Sequence, residues 1–254
     1  MGLYKYFLLS QMFSILLPAI FYLFVFHGKN IKEYIKLKLP SQKSFFLYSA
    51  MLLFLAYPLI QFSYEINRRL PIANWFKDQN ELIDNMLKEV MHISGFTDFL
   101  IKLFLVALLP AVGEELFFRA GIQNELTNNM KNKDLGIILT ALLFSFLHFQ
   151  FDGFLPRFFL GLILGYIYFW SQSIWVSATV HFINNALIVI AAYLQQDQID
   201  NIVNEQNMEK IPLHILLMSI IAVFVLRNKM LNMWKADNMP VEQDGGGNDD
   251  GEIV

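Results

Sequence analysis

The chain has 254 residues, of which 56% are hydrophobic, 15% are aromatic and only 16% are charged, and its mean hydropathy is +0.43. Soluble domains carry about 25% charged residues, so this composition indicates a membrane protein with room for one compact helical bundle. The net charge of −3 argues against a nucleic-acid partner, which requires a basic face, and the lack of cysteine excludes disulfides, thiolate nucleophiles and cysteine-ligated metals.

Several apolar stretches approach the length of about 20 residues that a membrane-spanning helix needs. They lie at roughly 3–26, 44–63, 98–118, 134–150, 154–171, 174–194 and 211–227. The fourth and fifth stretches are separated by a turn at Asp152-Gly153, which predicts a tight helical hairpin. The sequence therefore predicts an all-α, polytopic transmembrane bundle of about seven spans, within a range of about six to eight.

Two further segments differ from the spans in their pattern. The segment 64–97 alternates apolar with charged residues, which is typical of an amphipathic helix at the membrane interface. The segment 237–254 is polar, acidic and rich in glycine, and it is predicted to be disordered. We expect four regions: 1–97 with the N-terminal spans and the amphipathic segment, a motif-bearing core at 98–194, an extracytoplasmic loop with the last span at 195–236, and the acidic tail.

Basic residues in short loops predict how the bundle is oriented. The first connection is rich in lysine, at Lys29, Lys32, Lys36, Lys38 and Lys43. We therefore expect this connection in the cytoplasm, which places the acidic loop 195–210 outside and the C-terminus inside if there are seven spans. The abundance of Lys, Asn, Ile and Phe favours an AT-rich bacterial genome, and thus a bacterial inner membrane.

Two adjacent carboxylates and an arginine lie near the end of the third apolar stretch. Glu115 and Arg119 are four residues apart and share a helix face, so they are expected to pair, whereas Glu114 points about 100 degrees away. A charged group at the bilayer centre costs roughly 2.5–3.5 kcal/mol on insertion scales, so such groups usually face a polar cavity that has a function. The alternative is a buried ion pair that ends the helix at the interface.

The fourth and sixth stretches each carry a histidine. Phe144 lies one turn before His148 and could pack against its imidazole. His181 and Asn185 are also one turn apart and can present an imidazole and an amide together. Each pair alone is consistent with ordinary hydrogen bonding between helices. Three polar clusters on three separate helices favour a single site inside the bundle.

The side chains of the three polar clusters include a possible base and possible hydrogen-bond donors to an oxyanion, but no obvious nucleophile. This combination favours hydrolysis by an activated water. Glu114 is the expected base, and His148 is expected to orient the same water. His181 and Asn185 are expected to donate to the oxygen that becomes negative. Ser145 is a weaker candidate nucleophile, since a helical serine flanked by two phenylalanines is more often a packing residue. The zinc motif HExxH is absent from the sequence.

At these residues the sequence resembles the CAAX prenyl endopeptidase and bacteriocin-processing family, also called the Abi or CPBP intramembrane proteases. The family's three motifs occur in order over residues 98–194, as Glu114-Glu115-Leu116-Phe117-Phe118-Arg119, Phe144 to His148, and His181 to Asn185. The resemblance implies an all-helical membrane fold, and an endopeptidase that hydrolyses a peptide bond in or next to the bilayer.

By position, the resemblance makes Glu114 the catalytic glutamate, His148 the second residue that handles water, and His181 with Asn185 the pair assigned to the oxyanion hole or to a metal. Glu115, Arg119 and Phe144 are then structural supports. Since the family is described both as metalloprotease and as glutamate protease, Glu114, His148 and His181 could also ligate zinc.

The expected partners are membrane lipid and a protein or peptide substrate that can itself be membrane-anchored, and prenylation of that substrate stays open. Two functions of other classes remain as alternatives. A transporter would use buried carboxylates and histidines as proton relays, but the sequence has no internal repeat to support this. A non-catalytic immunity or interaction protein would keep the fold without needing the motif residues.

Overall fold

The computed structural model describes residues 8, 9, 11–70, 76–194 and 211–238 of the chain. These residues form helices and turns without any β-strand, which confirms the all-α prediction. The helices are α1 (Met12–Tyr34), α2 (Ser44–Asn67), α3 (Lys77–Met91), α4 (Phe96–Asn129), α5 (Lys133–Phe146), α6 (Phe154–Ser171), α7 (Ile174–Leu194) and α8 (Leu213–Asn238).

Six of these described helices are long and apolar enough to cross a membrane, namely α1, α2, α4, α6, α7 and α8. This number lies within the predicted range of spans. The predicted span at 134–150 is corrected, because α5 has only 14 residues and ends at Phe146. A helix of that length is about 21 Å long, which is shorter than the hydrocarbon core of about 30 Å.

Contacts between loops show which helix ends share a face of the bundle. The backbone N–H of Ile174, at the start of α7, donates to Lys36 O at 3.1 Å. The Gln42 side chain donates to Asp237, near the end of α8, at 3.2 Å. The loop after α1 therefore lies beside the start of α7 and the end of α8, and this face collects the lysines of the first connection.

The opposite face is marked by the end of α2 and the start of α6, where Asn67 donates to Phe151 O at 2.8 Å. At the first face, the Tyr166 hydroxyl near the end of α6 donates to Asp134 at the start of α5, at 3.0 Å. The helices α5 and α6 thus form the predicted hairpin, which turns through a short 3₁₀ turn at Phe151–Gly153. Although α5 is short, it carries the chain from the basic face toward the opposite one.

Helix α3 is amphipathic, as the sequence predicts for its segment, but it is shorter than the predicted 64–97. Residues up to Asn67 belong to α2, and Met91 ends α3. Asn80 and Met91 are buried against the bundle, whereas Leu82 and Met86 are exposed. The helix therefore lies on the bundle with one face and leaves a partly apolar face open.

Helix α4 extends eleven residues beyond the predicted end at 118, to Asn129. Its second half is polar yet buried. Gln123 donates to Gly165 O at 2.9 Å, and Asn124 donates to Tyr34 O at 2.7 Å. Two π-helical stretches interrupt α4, at Leu103–Leu108 and Glu115–Gln123. Such turns are rare and frequently occur at functional sites, and the second of them begins at the paired glutamates.

The remaining predictions concern the chain ends and the last loop. Helix α8 continues past the predicted end at 227 to Asn238, so Asp237 is helical rather than part of a disordered tail. The predicted tail from residue 239 onward, the acidic loop at 195–210 and the start of the first predicted span lie outside the described residues.

Candidate active site

Glu114 and Glu115 lie where α4 changes from an α-helical to a π-helical turn, and both are buried. Their side chains have different surroundings. Glu115 Oε2 lies 3.2 Å from Arg119 Nε, and neither side chain is exposed to solvent. Glu114 Oε2 is buried and has no hydrogen-bond partner among the described residues. The expected pair of Glu115 with Arg119 is therefore present, and Glu114 is left to face something else.

Glu115 has a second partner that the sequence did not indicate. Its Oε1 lies 3.1 Å from Nδ1 of His181, on α7, which is 66 residues further along the chain. A carboxylate oxygen can only accept, so Nδ1 of His181 carries the proton and donates it to this bond. Glu115 thus connects the arginine on its own helix with the histidine on α7 and fixes the orientation of the imidazole.

His148 lies just after α5, and its imidazole is held by the preceding turn. Its Nδ1 lies 2.6 Å from Phe144 O, so this nitrogen is the donor to the carbonyl. The Phe144 ring packs edge-on against both imidazoles, with ring centroids 4.8 Å from His148 and 5.9 Å from His181. The expected packing of Phe144 on His148 is present. The same ring also lies against the Arg119 guanidinium, whose Cζ is 5.3 Å from the ring centroid.

The two histidines converge on the free oxygen of Glu114. His148 Nε2 lies 3.9 Å from Glu114 Oε2, and His181 Nε2 lies 3.8 Å from the same oxygen. These separations are too long for direct hydrogen bonds. They are of the size that one bridging water covers, and a buried water needs about two to four polar partners. Glu114, His148 and His181 therefore surround one position.

Hydrogen-bond accounting restricts what can occupy this position. Because each histidine donates from Nδ1, both Nε2 atoms are acceptors while the rings are neutral, and Glu114 Oε2 is an acceptor when ionised. A water molecule has only two protons for these three acceptors. The position therefore suits a water that shares one additional proton with these groups, or a cation.

The side chains of Glu114, His148 and His181 are of types that bind metal ions, but their spacing does not suit one. Two imidazole nitrogens and a carboxylate oxygen are ordinary zinc ligands. As placed, however, the described part of the chain contains no group of three or more His, Cys, Asp or Glu side chains that could hold a metal ion. We therefore derive no step of the chemistry through a metal.

Asn185 is less closely associated with the other candidates. It lies one turn after His181 on α7 and is half-buried, and its Oδ1 accepts a hydrogen bond from Asn184 Nδ2 at 3.2 Å. Its described contacts do not include Glu114, His148 or His181. The structure thus gathers three of the four predicted catalytic side chains and leaves Asn185 at the edge of the site.

Ser145 is buried and has a structural partner, since its hydroxyl donates to Phe154 O at 2.5 Å across the α5–α6 turn. This supports the interpretation of Ser145 as a packing residue. The site opens on the side of His148, whose side chain is 32% exposed, whereas the exposed fractions of Glu114 and His181 are 8% and 3%. Access to the buried position is therefore past His148.

A separate apolar cavity of about 430 Å³ lies between α1 and the second half of α4. Its lining includes Pro18, Tyr22, Phe117, Gly121 and Leu126. None of the candidate catalytic side chains lines it, so this α1–α4 cavity is distinct from the site.

The part of the chain that carries the candidate site is similar to a known family. Residues 96–187 match the family described as Rce1-like, "Type II CAAX prenyl endopeptidase Rce1-like". The matched segment begins at the first residue of α4, ends within α7 and contains all three motifs, which confirms the predicted resemblance. No curated protein and no solved structure matches the chain. Residues 96–187 are thus similar to that family of membrane endopeptidases, and the six apolar helices indicate an integral membrane protein.

Proposed function

Because residues 96–187 are Rce1-like, we propose that this chain hydrolyses a peptide bond in or next to the bilayer through a water activated by Glu114 and His148. The observation that carries the proposal is the buried Oε2 of Glu114, which has no hydrogen-bond partner in the described part of the chain and lies within 3.9 Å of two imidazole nitrogens. A buried carboxylate without a partner is costly for the fold, so its retention favours a functional role.

In the proposed reaction, Glu114 accepts a proton from the water while His148 holds that water in line with the scissile carbonyl. The water oxygen bonds to the carbonyl carbon, and the carbonyl oxygen becomes negative. The C–N bond then breaks, and Glu114 returns its proton to the leaving amine nitrogen. A carboxylic acid and an amine are released, and Glu114 ends in its initial state.

The negative oxygen needs donors, and we assign them to α7. His181 can donate from Nε2 only when its ring carries both protons, and its Nδ1 then donates to the Glu115 carboxylate. We assign the second donor to the Asn185 amide, which lies one helical turn after His181 and whose Oδ1 accepts from Asn184. Arg119 balances the charge of Glu115.

Zinc at Glu114, His148 and His181 is the alternative form of this proposal, and the convergence of three acceptors on one position is the observation in its favour. Elemental analysis of the purified protein distinguishes the two forms. Less than about 0.1 metal ion per chain, with activity that resists chelators, supports the water-only form, whereas about one ion per chain supports zinc.

The proposed setting is a bacterial inner membrane with the lysine-rich face and the C-terminus in the cytoplasm. The proposed substrate is a protein or peptide that can be membrane-anchored. Lipid is the other proposed partner, and acyl chains of the bilayer can fill the α1–α4 cavity between two spans.

The proposal is tested by comparing the peptides and protein termini of cells that lack this chain with those of cells complemented by wild type or by Glu114→Gln. New termini are expected only with wild type, because an amide keeps the shape of Glu114 but cannot accept the proton. The Glu114→Gln protein must reach the membrane in the same amount. If that variant restores the wild-type phenotype, the chain acts as an immunity factor, an interaction protein or a transporter, and the peptidase proposal is wrong.

A further inference from the structure

The backbone that carries His148 has an unusual conformation. Phe149, directly after His148, has a φ of +54°, in the left-handed region that a bulky side chain rarely adopts. Such a residue keeps this conformation only where the surrounding structure determines it. The stretch from Leu147 to Gln150 is not helical, and it joins α5 to the turn at Phe151–Gly153.

Asn67, at the last turn of α2, fixes the chain just after this stretch. Its Nδ2 donates to Phe151 O at 2.8 Å and to Asp152 O at 2.7 Å. Its Oδ1 accepts from the backbone N–H of Leu155 at 3.0 Å. The side chain is fully buried, so one asparagine satisfies three backbone groups that the turn leaves open.

Asn80, on the amphipathic helix α3, fixes the same turn from another side. Its Oδ1 accepts from the backbone N–H of Phe151 at 2.9 Å, and its Nδ2 donates to Asp152 Oδ1 at 2.9 Å. Asn80 is also buried. Two asparagines from two helices thus hold Phe151 and Asp152 through both backbone and side chain.

These bonds are needed because α5 is shorter than the hydrocarbon core, so its end returns toward the bundle as non-helical backbone. Within a membrane protein such backbone is tolerated only where other groups satisfy it. His148 holds its own imidazole through Phe144 O, but that bond does not fix the backbone that follows it. The backbone at His148 is held on its N-terminal side by bonds from His148 N–H to Ser145 O at 3.4 Å and from Phe149 N–H to Phe146 O at 3.1 Å. On its C-terminal side the two asparagines fix the chain from Phe151 onward.

We propose that Asn67 and Asn80 are positioning residues for His148, which hold its imidazole near Glu114 by fixing the backbone at Phe151–Leu155. Both lie outside the segment 96–187 that matches the family, so the N-terminal part of the chain completes the geometry of the site. The catalytic meaning of this proposal rests on the proposed function. The positioning itself can be measured without any substrate.

The pair of Asn80 and Asp152 permits a swap experiment. In Asn80→Asp, an oxygen still accepts from Phe151 N–H, but the other oxygen faces the Asp152 carboxylate and repels it. Adding Asp152→Asn gives an amide that can donate to the new carboxylate, with the net charge of the wild type. The control is Asn129→Asp, which removes the two hydrogen bonds that Asn129 Nδ2 donates to the backbone O and to Oε1 of Glu125, on the opposite face of the bundle.

The readout is the rate at which diethyl pyrocarbonate modifies His148, measured by mass spectrometry relative to the exposed His214. We expect Asn80→Asp to raise this rate by about fivefold or more, because it removes a buried hydrogen bond and introduces like charges. The double variant should return to nearly the wild-type rate, and Asn129→Asp should not change it. If hydrolysis is measurable, kcat should fall by about tenfold or more in Asn80→Asp while KM stays unchanged.

Unchanged modification of His148 in folded Asn80→Asp, or a change that Asp152→Asn does not reverse, would overturn the positioning role. If Asn80→Asp does not yield folded protein, Asn80→Ser removes both hydrogen bonds without adding charge and serves in its place. Faster modification of His148 in a chain that cleaves nothing would leave the positioning intact and refute only the proposed function.

Discussion

Replacement of Arg119 by alanine removes the charge that compensates Glu115. Neither side chain of this pair is exposed, and Arg119 Nε lies 3.2 Å from Glu115 Oε2. His181 then remains as a hydrogen-bond partner of the buried carboxylate. Breaking a buried ion pair on one side costs about 3–5 kcal/mol, because the remaining charge is left uncompensated. At about 2–4 °C per kcal/mol, the melting temperature of Arg119→Ala should fall by roughly 6–20 °C.

Thermal unfolding of the detergent-purified protein, followed by intrinsic fluorescence, measures this effect. The matched variant is Glu115→Gln combined with Arg119→Met, which removes both charges and keeps most of the volume. Its melting temperature should recover most of the loss, since replacing a buried pair by apolar groups is often neutral. Its activity should stay low, because His181 no longer faces a carboxylate. An Arg119→Ala protein that melts like wild type, or a double variant no more stable than Arg119→Ala, would refute this reasoning.

Two further predictions concern packing and pH. A Cβ on Gly165 would lie 2.8 Å from the Ile137 side chain, so Gly165→Ala should lower the free energy of unfolding by about 1–3 kcal/mol. The control is Gly121→Ala, whose Cβ would have no neighbour nearer than 3.6 Å and which should therefore be neutral or stabilising. Thermal unfolding measures both variants. Burial lowers the pKa of Lys36, in the loop after α1, from 10.5 to about 8. Between these values the unfolded chain binds more protons than the folded one, so wild type should gain stability relative to Lys36→Met as pH rises from 8 to 10.5. A flat difference between wild type and Lys36→Met over this pH range would contradict the prediction.

Hydropathy predicted the spans whose lipid-facing and core-facing sides are both apolar, but it did not predict where α4 ends. It marked an end at 118 because polar residues follow. Gln123 and Asn124 are polar yet buried, with partners on α6 and α1. Sequence alone cannot tell a polar residue that faces a distant carbonyl from one that faces water. The end of α5 was also placed too late, and the turn that follows it is held by Asn67 and Asn80 from 71 to 88 residues away.

The site was predictable to the extent that it depends on residues one helical turn apart. The pair of Glu115 with Arg119 and the packing of Phe144 on His148 both follow from that spacing. The bond between Glu115 and His181 joins two helices and has no local signal. It changes the interpretation of Glu115, which orients the imidazole of His181 in addition to pairing with Arg119.

Purified protein reconstituted in lipid vesicles provides the most direct measurement, with cleavage of an identified substrate followed by mass spectrometry for wild type, Glu114→Gln and His148→Asn. If Glu114 takes the proton from a water held by His148, Glu114→Gln should be inactive within detection, and His148→Asn should lose at least about 100-fold in kcat, with both variants folded. Cleavage by Glu114→Gln at the wild-type rate would contradict the account.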